Sequence, residues 1–198
     1  MSYASERIRF LRARLSVPSL LSTADERVVV AVVASVNAVF AILTISLIAW
    51  LIDLPLLFPA LGPTAFILFA RPFSPAAAPR AVVLGHLSAI AVGSASWNLV
   101  SLACGQDVSL EMGGWPTLVS ASLALAVSCI LLIWLACPHA PACASALILA
   151  LGAASDWTAL LGMAVGVLAL TAEAVLIRRA AGVNVPIWST RLVDDQAV

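Results

Sequence analysis

Lysine is missing from this chain, tyrosine occurs once, and only 10% of the 198 residues are charged. A soluble domain of this size carries about a quarter charged residues, so that class is excluded. No acidic residue falls in the middle of a long apolar run. Carriers of sodium or metal cations, and carboxylate proton relays, need buried carboxylates, so their absence argues against both. Cys104, Cys129, Cys137 and Cys143 match no metal-ligand spacing and read as small apolar filler. Paired carboxylates and a catalytic Cys/His/acid set are lacking too. An enzyme is therefore not expected, nor a cofactor, a metal or a nucleic-acid partner.

What is present is apolar: 63% of residues are hydrophobic and the mean hydropathy is +1.09. These values describe an all-α integral membrane protein whose surroundings are the lipid bilayer, expected in the bacterial inner (plasma) membrane. Residues 1–26 form a basic cytoplasmic segment. The run after it is too long for a signal-peptide core, so the segment is expected to be retained. Within it, Ser5–Leu15 spaces Arg7, Arg9, Arg12 and Arg14 among apolar residues, as an interfacial amphipathic helix or a disordered basic tail would. Residues 27–179 form a single transmembrane domain and 180–198 a polar cytoplasmic tail.

Six apolar runs fill the domain. Val28–Ile52, Ala81–Ala103, Thr117–Cys137 and Trp157–Ile177 are long enough to span a core of about 30 Å as helices. Leu54–Ala70 and Pro138–Leu151 are marginal. They either dip in and return, giving four spans plus two re-entrant helices, or cross with part of their length extended. The second case needs Leu54–Gly62 and Pro138–Ala142 extended, followed by helices over Pro63–Arg71 and Cys143–Leu151. The arginines favour crossing, because the N-terminus, the Arg71–Arg80 loop and Arg178-Arg179 then all face the cytoplasm. Six spans make two inverted three-segment repeats, about 28–103 and 116–177, each with a short broken helix.

The two breaks resemble each other. Pro59-Ala60-Leu61-Gly62-Pro63-Thr64-Ala65-Phe66-Ile67-Leu68 and Ala140-Pro141-Ala142-Cys143-Ala144-Ser145-Ala146-Leu147-Ile148-Leu149 align at an offset of 81 residues. In the inverted arrangement both helix N-termini point at the membrane centre. Each presents unpaired N–H groups and about half a positive charge, which together make an anion site. Thr64 and Ser145 stand where hydroxyls cap those helices or donate to a ligand. Gly62 permits close backbone approach, and Pro59, Pro63 and Pro141 hold the chain extended. Kinks and close packing are the bland reading of such residues; a matched pair favours a site. His139 and His86 supply a polar or proton relay, although for His86 a packing hydrogen bond is equally compatible. Asn37 and Asn98 read as interhelical bonding groups, Glu173 as a partner of Arg178 or a snorkelling end, and most tryptophans as an interfacial belt.

At these residues the chain resembles the HPP family of integral membrane proteins. Gly62-Pro63-Thr64-Ala65 stands in place of a Gly-Ala-Ser-Ala type motif. Pro79-Arg80-Ala81-Val82-Val83-Leu84-Gly85-His86 is similar to Pro-Arg-x-Val-x-Gly-Gly-His. His139-Ala140-Pro141-Ala142-Cys143-Ala144-Ser145-Ala146 is similar to the signature His-Pro-Pro-Ala-Gly-Ala-Thr-Ala. Ala140, Cys143 and Leu84 depart from the pattern, and Cys143 is placed to crowd a ligand. The resemblance implies nitrite transport and a four-span description, against the six favoured by the arginines. The expected function is a transporter or channel for a small inorganic anion such as nitrite, bound near the midplane. Gly62, Pro63, Thr64, Ala65, His139, Pro141, Cys143, Ala144 and Ser145 are its expected substrate-binding residues. The rival is a non-transporting membrane scaffold or regulatory subunit, whose breaks pack dry. A homo-oligomer is expected, through small-residue faces such as Gly162-x-x-x-Gly166.

Overall fold

The computed structural model describes residues 25–105, 114–154 and 156–180, and their regular secondary structure is entirely helical. Six α-helices occur among them: α1 Glu26–Ile52, α2 Leu61–Ala70, α3 Pro79–Cys104, α4 Trp115–Trp134, α5 Pro141–Ala150 and α6 Trp157–Ala180. A 3₁₀ turn covers Pro75–Ala77. α1, α3, α4 and α6 are long and apolar enough to cross a membrane, whereas α2 and α5 have 10 residues each. The Ser5–Leu15 segment, Asp107, Glu111, Trp188 and the C-terminal tail lie outside the described residues.

The ends of these helices follow from their sequence. The Asp25 carboxylate accepts the Arg27 N–H at 2.9 Å and caps α1. Proline occupies the first turn of α3, α4 and α5, where its missing N–H costs nothing. For the same reason α2 and α5 begin at Leu61 and Pro141, two residues earlier than expected, with Pro63 inside the first turn of α2. Ahead of α6, the Thr158 hydroxyl bonds the Asp156 carboxylate and holds it below the usual carboxylate range. That group therefore stays anionic at the positive end of the helix dipole.

Both breaks share one backbone pattern. α1 ends on Asp53 and α4 is followed by Ala136, the two non-glycine residues with positive φ (52° and 49°) among those described. Leu54 N–H then reaches back to Ala49 O, and Cys137 N–H to Leu132 O, each five residues earlier. A tight turn comes next, from Leu56 N–H to Leu54 O at 2.9 Å and from His139 N–H to Cys137 O at 2.7 Å. Both short helices open on three-residue-back bonds, Leu61 to Phe58 and Gly62 to Pro59 in one, Ala142 to His139 and Cys143 to Ala140 in the other.

Contacts give the helix directions. α2 lines a common cleft with α1, and Gly62 and Arg71 lie at opposite ends of that short helix. The eight residues between α1 and α2 span at most about 28 Å. They cannot carry Leu61 back to the start of α1, which is about 40 Å long. α2 therefore runs antiparallel to α1, and Arg71 lies toward Arg27. α6 runs alongside the 55–70 stretch in the same direction. Backbone oxygens of Pro55 and Leu56 press on Gly162 and Gly166, while Arg178, 12 residues later, reaches Leu68 O. α5 runs parallel to α3, with Ala142 against Gly85 and Ala146 against Gly93. A Cβ at Gly93 would collide with Ala146 O, so only glycine allows this approach. Gly152 follows α5, and its φ of +74° and its face against the Trp97 ring both exclude a side chain.

Two apolar clusters divide the bundle unexpectedly. One joins α1 and α2 to α6 through Ile45, Leu68, Val167 and Leu170; the other joins α4 and α5 to α3 through Ala81, Ala89, Ala124 and Ala146. The last helix of each half thus shares an apolar cluster with the first two of the other half, and α3 and α6 also pack against each other. Trp50, Trp115, Trp134 and Trp157 are exposed at helix ends, as a belt requires, while Trp97 is half-buried.

Candidate functional site

Four of the expected polar residues meet where the two short helices begin. The Thr64 hydroxyl, in the first turn of α2, lies 2.8 Å from Ala60 O, 3.0 Å from His86 Nε2 and 3.1 Å from His139 Nε2. His86 Nδ1 lies 2.7 Å from Ser145 Oγ on α5. His139 Nδ1 lies 2.7 Å from Ala76 O in the 3₁₀ turn. The result is one line of hydrogen bonds: Ser145, His86, Thr64, His139, Ala76 O. The imidazole centroids are 5.0 Å apart, and Phe58 sets its ring edge-on to His86 at 6.1 Å.

All four side chains have 0% exposure. A polar group buried without a partner costs about 1–3 kcal/mol, so the line must be closed to be tolerated. Gly85, next to His86, faces the start of α5: a Cβ there would stand in ordinary contact with Ala142 Cβ at 3.4 Å and His139 Cβ at 3.5 Å.

Several expectations change. Neither hydroxyl caps its helix; Thr64 reaches back one turn and Ser145 reaches across to α3. The N–H groups of Leu61, Gly62, Thr64, Ala142 and Cys143 are taken by turn carbonyls, and Pro63 and Pro141 have none to offer. The cradle of unpaired donors expected for an anion is therefore engaged internally. A Cβ at Gly62 would meet nothing within 4 Å, so this glycine allows no close approach. Ala65 joins the apolar core. Cys143 lies beside Cys129 on α4 and packs against the apolar cluster of α3, α4 and α5; Ala144 is half-buried. His86 is the eighth of 26 residues in α3, about 10 Å from its start. The helix starts thus meet about a quarter of the way along α3, not at its middle. Asn37 and Asn98 bond the carbonyls of Val33 and Ser94 in their own helices, and Glu173 lies near Thr44 with its Oε1 buried and unpartnered.

Two clefts flank α2. One, of about 540 Å³, runs between α1 and α2 past Ala34, Gly62 and Phe66, with Arg27 and Arg71 along it. The other, of about 450 Å³, lies between α2 and the start of α5, bordered by Pro63, Phe66, Ala140 and Pro141. Neither is lined by the four polar side chains, which α2 and α5 cover.

Other participants carry little or no sequence signal. Ala60 and Ala76 contribute only carbonyl oxygens, which any residue has. Phe58 stands 81 positions before His139, so the repeat offset points to it. Arg178, 3% exposed, donates to Leu68 O at 2.7 Å and Ala77 O at 3.1 Å and ties α6 to the end of α2.

The family described as HPP, transmembrane region, matches residues 23–186, most of the chain. No curated protein and no solved structure matches.

Proposed function

We propose that this chain, which belongs to the HPP transmembrane family, is a transporter or channel for a small inorganic anion such as nitrite, and not an enzyme. One observation carries the reading: Thr64, His86, His139 and Ser145 come from three separate stretches of chain and meet inside an apolar bundle. Intramembrane polar groups are costly and are concentrated at functional positions. Two helix starts adjoin this group, and each contributes a partial positive charge. Among the described residues no carboxylate bonds any of the four side chains, so the local field favours an anion.

The described state is closed. α2 is a short helix with a cleft on either side. Displacing it uncovers Thr64 and frees the hydroxyls and imidazoles as donors for an anion. Six crossings in two inverted halves belong to the proposal. The opposed courses of α2 and α1, the parallel course of α5 and α3, and the shared backbone pattern of the breaks support it. Both termini and the 71–80 loop then face the cytoplasm, across a bacterial inner membrane. Gly162 and Gly166 are occupied by Pro55 and Leu56 of the same chain. A homo-oligomer would therefore associate through lipid-exposed faces, such as that of α1.

Flux of nitrite and other small anions into proteoliposomes tests this. Wild type is expected to conduct, and Ser145→Ala to lose about tenfold, the equivalent of one hydrogen bond. Absence of flux for every small anion, or unchanged flux in the variant, contradicts the proposal. Complete hydrogen bonding within the site favours a second reading, a scaffold or regulatory subunit packed dry at the breaks, which predicts no flux.

A further inference from the structure

We infer that the line from Ser145 to Ala76 is a binding site for a single proton, with the Thr64 hydroxyl as its switch. The directions of the hydrogen bonds follow from their ends. Ala76 O only accepts, so His139 carries a proton on Nδ1. A neutral His139 then has Nε2 as an acceptor, and the Thr64 hydroxyl is the donor against it. Thr64 Oγ1 in turn accepts from His86 Nε2–H. His86 Nδ1 is left as an acceptor, and the Ser145 hydroxyl donates to it. Two histidines 5.0 Å apart hold opposite tautomers.

Ala60 O receives the Thr64 N–H and also stands 2.8 Å from the same hydroxyl, whose single hydrogen goes either to this oxygen or to His139 Nε2. A carbonyl oxygen has a second lone pair to give. When an aqueous proton binds His139 Nε2, the hydroxyl rotates to Ala60 O and accepts from both imidazoles. Every donor keeps an acceptor, and no heavy atom has to move. Thr44, Ser46 and Thr171 make the same one-turn-back bond; two imidazole nitrogens on one hydroxyl set Thr64 apart.

Most titratable groups on the surrounding elements have partners of their own, although Glu173 Oε1 and Arg178 Nε are buried without one. Arg80 on α3 bonds Leu135 O, and Arg178 on α6 bonds Leu68 O and Ala77 O. Glu173 on α6 lies near Thr44 on α1, and Cys143 on α5 beside Cys129 on α4. Cys137 donates to Leu135 O, and Arg71 ends α2 beside the clefts. A bound proton thus lacks a counter-charge within the site, and a small anion supplies one. The site takes up the two together, as the elements of a neutral acid. That coupling rests on the anion reading above; the proton site does not.

The chain has only two histidines, both in the site. Full-length protein labelled with ¹⁵N-histidine and reconstituted in liposomes therefore gives two rings to follow by solid-state NMR. At alkaline pH one ring should be Nδ1–H and the other Nε2–H. On acidification the Nδ1–H ring alone should become doubly protonated first. Thr64→Ser should keep this pattern, and Thr64→Val should bind the proton about tenfold more weakly, because a charge-assisted bond is lost. Identical tautomers in wild type, simultaneous protonation of both rings, or unchanged affinity in Thr64→Val would overturn the inference. If Thr64→Val does not fold, the wild-type tautomers decide alone. Absence of anion flux with opposite tautomers present would remove the transport reading and leave the proton site standing.

Discussion

Arg178 is nearly as buried as the histidines, yet its partners are two carbonyl oxygens. Its charge sits at the negative end of α2, where a cation is favoured. Arg178→Leu leaves Leu68 O and Ala77 O without their donor and should cost about 2–3 kcal/mol, read from thermal unfolding in detergent. Ala136 makes the opposite case. Its φ of 49° is a conformation that alanine adopts at a cost of about 1–2 kcal/mol, so Ala136→Gly should raise stability. Loss of stability there would mean that the αL turn after α4 is misassigned. The four polar residues were legible in the sequence because hydroxyls and imidazoles are expensive in an apolar chain. Their carbonyl partners were not, since backbone oxygens leave no mark in a sequence. Asn37 and Asn98 were misread because a carbonyl one turn back is always nearer than another helix.

At the scale of elements, the breaks depend on close contacts between a long helix and a short segment. Gly93 admits Ala146 on one side of the molecule, and Gly162 and Gly166 admit Pro55 and Leu56 on the other. Gly93→Val forces α5 away from α3 and should cost about 1–3 kcal/mol, as overpacking does. Because Ser145 rides on α5, the same variant should also reduce anion flux, and wild-type flux would show that the spacing between α3 and α5 does not set the site. The 81-residue offset revealed the two helix starts. It could not reveal that the last helix of each half shares an apolar cluster with the other half, because small apolar residues fit either neighbour equally well. The GxxxG spacing was ambiguous for the same reason: it marks a close approach without saying to what.

For the whole molecule, hydropathy and the arginine distribution bear on different questions. Hydropathy finds four spans, whereas Arg27, Arg71 and Arg178 gather toward one end of the bundle, the Arg27 and Arg71 ends by chain reach and Arg178 through Leu68 and Ala77. The paired helix starts follow only if α2 passes from the far end to the arginine end. Sidedness of the loop after α2 therefore tests the account most directly. In a background without the native cysteines, Ser74→Cys and Ala153→Cys are exposed in turn to a membrane-impermeant thiol reagent on intact cells. The account predicts labelling at Ala153→Cys and protection at Ser74→Cys until the membrane is opened. Labelling of Ser74→Cys from outside would contradict the crossing of α2, and with it the inverted halves.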